Sequence, residues 1–172
     1  MTLDIVIEDE RWQEAGLEAV AENAVTAALT HAGLAAPGDI VLLACDDARI
    51  AVLNAEFRGK PLPTNVLSWP TAERAAATPG QRPDVPAAEE DLGDIAIAYD
   101  TCRREAEAAG IPLMDHAAHL LVHGTLHLLG YDHQNDADGD LMESLETAIL
   151  EGLGLPDPYG RHGSGPASDG KD

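Results

Sequence analysis

Four of the chain's seven histidines fall at positions 119, 123, 127 and 133. His123 and His127 are four residues apart, and on a helix that spacing puts both side chains on one face with Cβ atoms ~6 Å apart. The two imidazoles can then hold one metal ion together. Gly130 follows, and glycine takes the left-handed conformation that ends a helix without a Cβ penalty. The chain can then turn back so that His133 supplies a third nitrogen. Three neutral imidazoles suit zinc and leave a fourth position for water, whose pKa zinc lowers to ~7. A closed structural zinc wants a fourth ligand such as Cys, and neither Cys45 nor Cys102 is near in sequence. The open position therefore points to catalysis. A lone histidine is usually a surface or packing residue. Chance, however, assembles three His and a Gly at these offsets in only about one chain in a thousand. His119 shares the helical face one turn earlier and is expected to pack or to orient a ligand, not to bind the metal. His31, His116 and His162 carry no signal.

The spacing matches the zinc-protease pattern H-E-x-x-H-x-x-G-x-x-H at every position but one. Gly124 stands where the protease has its general-base Glu, and glycine cannot take a proton. The cradle is present without the protease's base. Asp132 is the nearest carboxylate in sequence, and it suits a helix-end turn or an orienting role better than a base.

These residues need a long helix to carry them. Pro112 suits the first turn of a helix running to about Leu129, with Gly130 as its stop. Alternating or continuous apolar runs predict strands at Leu3 to Ile7, Ile40 to Cys45, Val66 to Trp69 and Ile95 to Ala98. Helical periods are predicted from Trp12 to Ala32, after Asp46 and Asp47 as far as Phe57, from Thr101 to Ala109, and around Leu141 to Ile149. Residues 71–92, rich in Ala, Pro and Glu, are expected to be an exposed loop. From Pro156 onward the Gly, Pro, Ser and Asp composition predicts a disordered tail. Strands alternate with helices early and helices dominate late, so the class is α/β or α+β with a small sheet.

The 172 residues fit one domain with a real core. The net charge of -21 argues against a generic nucleic-acid coat or an anionic-membrane binder. No run approaches ~18 apolar residues, and the N-terminus lacks a secretory signal. Two distant cysteines make no disulfide framework, and reduced, buried thiols in a cytosolic protein are expected. The charge is uneven. Residues 49–69 hold Arg49, Arg58 and Lys60 against the single acid Glu56.

The run from His119 to His133, His-Leu-Leu-Val-His-Gly-Thr-Leu-His-Leu-Leu-Gly-Tyr-Asp-His, resembles the signature of the YbeY family of metal-dependent endoribonucleases. Leu53-Asn54-Ala-Glu-Phe57-Arg58 is similar to that family's "LN..yR" helix end. Pro63-Thr-Asn65-Val-Leu-Ser-Trp-Pro70 is similar to its "PTDVLSFP", and Gly93-Asp-Ile-Ala-Ile97 to its "GDI.I". Met142-Glu143 also fits. The likeness spans about residues 3–153. It implies an α+β (α/β-like) single domain, residues 1–155, in which a small, mostly parallel four-stranded mixed sheet packs with about five helices. It implies metal ligands His123, His127 and His133, one Zn2+ with other divalent metals able to enter, and Arg58 in the cleft. An arginine there would clamp phosphoryl oxygens as charge builds on them. Without the likeness, Arg58 would read as a cation stabilising a helix C-terminus. The implied role is single-strand-specific cleavage in ribosomal RNA maturation near the small-subunit RNA 3′ end, and in ribosome quality control. The implied partners are precursor RNA, the small subunit or whole ribosome, and ribosomal proteins; the implied place is the cytoplasm. The competing readings are a ribosome-assembly factor with a structural metal and a peptidase-like hydrolase. Asn65 departs from the family's usual Asp, and a turn role would be served by either residue.

Overall fold

Leu3–Ile7 buries alternate side chains and forms β1, the first edge of the sheet. Its partner is β2 (Ile40–Cys45), an apolar run covered on both faces, as its unbroken hydrophobicity predicts. β3 (Val66–Pro70) and β4 (Gly93–Ala98) complete four strands in the order β1-β2-β4-β3. The first two pairings are parallel; β3 runs antiparallel to β4 and forms the other edge. The architecture is a mostly parallel, mixed four-stranded sheet in a single α/β domain. The computed structural model describes residues 3–34, 38–87, 89–133 and 135–159.

Six helices are present among these residues: α1 (Glu10–Glu14), α2 (Leu17–His31), α3 (Asp47–Arg58), α4 (Tyr99–Ala109), α5 (Leu113–Leu128) and α6 (Asp136–Gly152). One helix was expected over Trp12 to Ala32, and the chain divides it. Gly16 takes φ 88° and restarts the helix in a new direction. The break lets the buried Trp12 reach the end of β2, where its Nε1 donates to the Cys45 carbonyl at 3.0 Å. A period read from spacing alone does not show a turn that preserves the apolar face on both sides. α3 starts where Asp46 accepts from the Arg49 N–H and stops at Gly59, φ 69°.

The sheet separates two apolar layers. On one face β2 and β4 offer Ile40, Leu42, Ile95 and Ile97 to α2, α5 and α6. On the other, the small Ala96 and Ala98 leave room for α3 through Ile50, with Leu67 and Cys45. Cys45 and Cys102 are buried and unpaired, and burial pushes both thiols up, Cys45 to about 12. α5 runs against β4 so closely that a Cβ at Gly124 would meet Ile95 at 3.4 Å.

Within 71–92 the described residues hold no helix or strand. The segment is nevertheless fastened. The Arg74 side chain is 7% exposed, pairs with Glu90 at 2.6 Å, and donates to the Leu128 carbonyl at 2.9 Å and the Leu92 carbonyl at 3.3 Å. A guanidinium therefore closes the C-terminal end of α5, where free carbonyls favour positive charge. The disordered tail expected from residue 156 lies outside the described residues except for 156–159.

Candidate metal centre

α5 buries Ala117, Leu121, Val122, Leu126 and Leu128 on the core side and turns its histidine stripe to the surface. Its end is fixed by Gly130, at φ 107°. A Cβ there would stand 2.3 Å from the Arg74 carbonyl oxygen, so both the conformation and the contact require glycine. Asp132 then folds its carboxylate onto the His133 N–H at 2.7 Å, which is the turn-forming role expected of it. The result returns His133 to the helix face. Its ring stacks on His123 with centroids 5.0 Å apart, and His123 and His127 are 4.9 Å apart. One nitrogen from each of the three lies within 4.8 Å of the others, close enough to share one cation. No fourth His, Cys, Asp or Glu joins that group among the described residues.

The donors are prepared for a metal. Burial, reinforced by the charge of His123, pushes His127 down to about 4, so its imidazole is neutral at pH 7. His123 Nδ1 lies 2.5 Å from Glu146 Oε2. The carboxylate can only accept, so Nδ1 carries the hydrogen and Nε2 keeps its lone pair for a cation. Glu146 is fully buried on α6. Burial works to raise its pKa, but hydrogen bonds from His119 and His123 outweigh it and hold the carboxyl well below the usual range. His119 Nε2 sits 3.0 Å from Glu146 Oε1, and the Tyr159 hydroxyl donates to the same oxygen. His119 thus bonds the carboxylate that holds His123 and stands outside the three-histidine group.

Sequence reasoning missed Glu146 and Tyr159. Glu146 left one trace: an acid on the apolar face of α6, between Met142 and Ile149. Tyr159 left none, because it belongs to a segment with no periodicity.

The three histidines line a cleft of about 760 Å³ between α5 and β3, which Arg58, Ser68 and Tyr159 also line. Arg58 is exposed at the end of α3 and lines this cleft. Asn65 lies immediately before β3. Its Oδ1 accepts from the Val66 N–H at 2.6 Å, and its Nδ2 donates to Glu105 at 3.0 Å. Glu105 also holds His116 at 2.8 Å. An Asp could accept from Val66 in the same way, but only the Asn amide can donate to Glu105, so the departure from Asp keeps the turn bond and adds a second one.

A family model described as "Endoribonuclease YbeY" matches residues 4–154, nearly the whole described chain. The chain belongs to the YbeY family. The Endoribonuclease YbeY of Paracoccus denitrificans is 61% identical over 160 residues, covering 93% of this chain and 91% of that protein. That of Jannaschia sp. is 55% identical, covering 92% of this chain and all of the other. A more distant YbeY from Methylocella silvestris is 46% identical over 91% of this chain. The solution structure of TM1509 from Thermotoga maritima superposes with a TM-score of 0.53 at 18% identity, covering 96% of this chain and 99% of that one. At that identity the superposition speaks for the fold alone. YbeY membership agrees with the absence, among the described residues, of any helix long and apolar enough to cross a membrane.

Proposed function

We propose that this protein is a metal-dependent endoribonuclease that cleaves single-stranded regions of precursor ribosomal RNA. We assign His123, His127 and His133 as ligands of one zinc ion. The observation that carries this reading is the meeting of three imidazole nitrogens within 4.8 Å in a cleft whose wall bears Arg58. A cation held by these three residues would supply Lewis acidity and make water easier to ionise. The chain's own residues do the rest. Glu146 keeps the proton on His123 Nδ1 and fixes that ring. Arg58 binds two phosphoryl oxygens and strengthens its hold as they gain charge. Gly124 lies against Ile95 and offers no carboxylate, which weighs against a peptidase. The YbeY name of the relatives supports the RNA substrate. The partners proposed with it are the small ribosomal subunit and its proteins, in the cytoplasm.

The test is cleavage of a single-stranded RNA by purified protein with and without a chelator, alongside His123→Ala and Arg58→Ala. Cleavage that disappears with chelator and in both variants is expected. Full activity in His123→Ala would sink the metal-hydrolase reading. No cleavage with any divalent metal, but retained binding to the small subunit, would favour a non-catalytic assembly factor. Elemental analysis should find one zinc per chain.

A further inference from the structure

The chain contains a single Phe, and it is not in the core: Phe57 is 59% exposed. It stands immediately before Arg58 at the end of α3, and its ring meets Trp69 edge to face with centroids 5.2 Å apart. Trp69 belongs to β3, the edge strand whose Ser68 and Pro70 line the metal cleft. Strand alternation turns Trp69 to the opposite face, towards α3. The aromatic pair therefore sits just around the sheet edge from the cleft, and Arg58, next to Phe57 in the chain, lines the cleft itself.

We propose that Phe57, braced by Trp69, is a stacking platform for a base of single-stranded RNA one or two nucleotides away from the phosphate held by Arg58. Charge selects this occupant. Residues 49–69 form a basic stretch in a chain of net charge -21, and neither Arg58 nor Lys60 makes an ion pair among the described residues. An aromatic face followed in the chain by two cations, neither ion-paired among the described residues, matches a base with its neighbouring phosphates, whereas an apolar protein patch has no use for those charges. Stacking is also the contact that tolerates any sequence, because every base has a π-face. A strand leaving the cleft past Arg58 crosses the β3 edge, where no further strand among the described residues blocks it. The ring is held but not covered, as a platform must be: Trp69 fixes one edge and solvent meets the rest.

This platform rests on the endoribonuclease reading only for the choice of RNA, and its test reads binding apart from cleavage. The probe is a short single-stranded RNA carrying 2-aminopurine, compared with an abasic ribose-phosphate strand of equal length. Wild-type protein is set against Phe57→Ala, Phe57→Leu and Phe57→Tyr, with thermal melting to check the fold. Stacking is worth a factor of about ten or more in affinity per base. Phe57→Ala and Phe57→Leu should weaken binding of the RNA about tenfold and lose the fluorescence quenching. Phe57→Tyr should restore both, and binding of the abasic strand should not change. In cleavage, KM should rise with kcat retained. Unchanged RNA binding in Phe57→Ala overturns the platform; if that variant instead loses only its hold on the small subunit, the patch serves a protein. Cleavage unaffected by Phe57 leaves the nuclease reading standing without the platform. Phe57-dependent binding with no cleavage by wild type leaves the platform standing without the nuclease.

Discussion

Glu146 is the residue on which the proposed metal centre turns, though it is not one of the proposed ligands. It takes hydrogen bonds from His119, His123 and Tyr159 inside a fully buried site. Glu146→Gln keeps the shape and removes the charge, and its amide adds a donor where only acceptors are wanted. His123 can then no longer be held by Nδ1–H as firmly. Zinc affinity, measured by competition with a chromophoric chelator, should fall about 10- to 100-fold, the usual effect of losing a ligand's carboxylate partner. Unchanged affinity would mean that His123 needs no orienting. The cluster of His123, His127 and His133 was legible in the sequence because helical spacing and one turn bring the three together over eleven residues. Glu146 lies 23 residues from His123 along the chain. Only the packing of α6 on α5 joins them, and no local rule expresses that.

At the scale of elements, two glycines show what spacing reveals and what it hides. Gly130 was readable as a stop because the apolar period ends there. Gly16 was not, because the period survives the break. Gly130→Ala forces a side chain to φ 107° and into the Arg74 carbonyl. It should cost at least about 1–3 kcal/mol in urea unfolding. Zinc stoichiometry should also fall, because His133 is delivered by that turn. A stable, fully loaded variant would show that the turn can be remade. A second link joins α1 to α4. Arg11 bonds Asp9 and reaches Asp100 at 2.9 Å, with its guanidinium 4.3 Å from the Tyr99 ring centre. Hydrogen bonds to Arg11 hold both carboxyls below their ordinary 3.8. Folded pKa values below the unfolded ones mean stability that is present above that range and lost as pH falls through it. The melting-temperature gap between wild type and Arg11→Ala should thus be widest near neutral pH and narrow below about pH 3. An equal gap at both pH values would assign the effect to the Tyr99 contact alone.

For the whole molecule, the unequal distribution of charge decides how RNA is met. The four strands were legible one by one, from alternation and apolar runs. Their order was not, since β3 lies beside β4 only because the chain between them folds back antiparallel. That placement makes β3 an edge and sets the basic end of α3 against the metal cleft. The remaining surface is acidic enough to repel a polyanion, so free RNA can be gripped only along this narrow strip. Each neutralised phosphate of a single strand contributes roughly -0.7 to the slope of log affinity against log salt. Arg58 and Lys60, two cations without an ion pair among the described residues, therefore predict a slope of about -1.4. Salt also screens the repulsion from the acidic surface, which flattens the slope further. Stacking on Phe57 hardly responds to salt, so weak binding should persist at high ionic strength. Fluorescence titration of a short single-stranded RNA at several salt concentrations would measure this. A slope steeper than about -4 would require more cationic contacts than the strip offers, and would place the RNA somewhere other than beside Arg58.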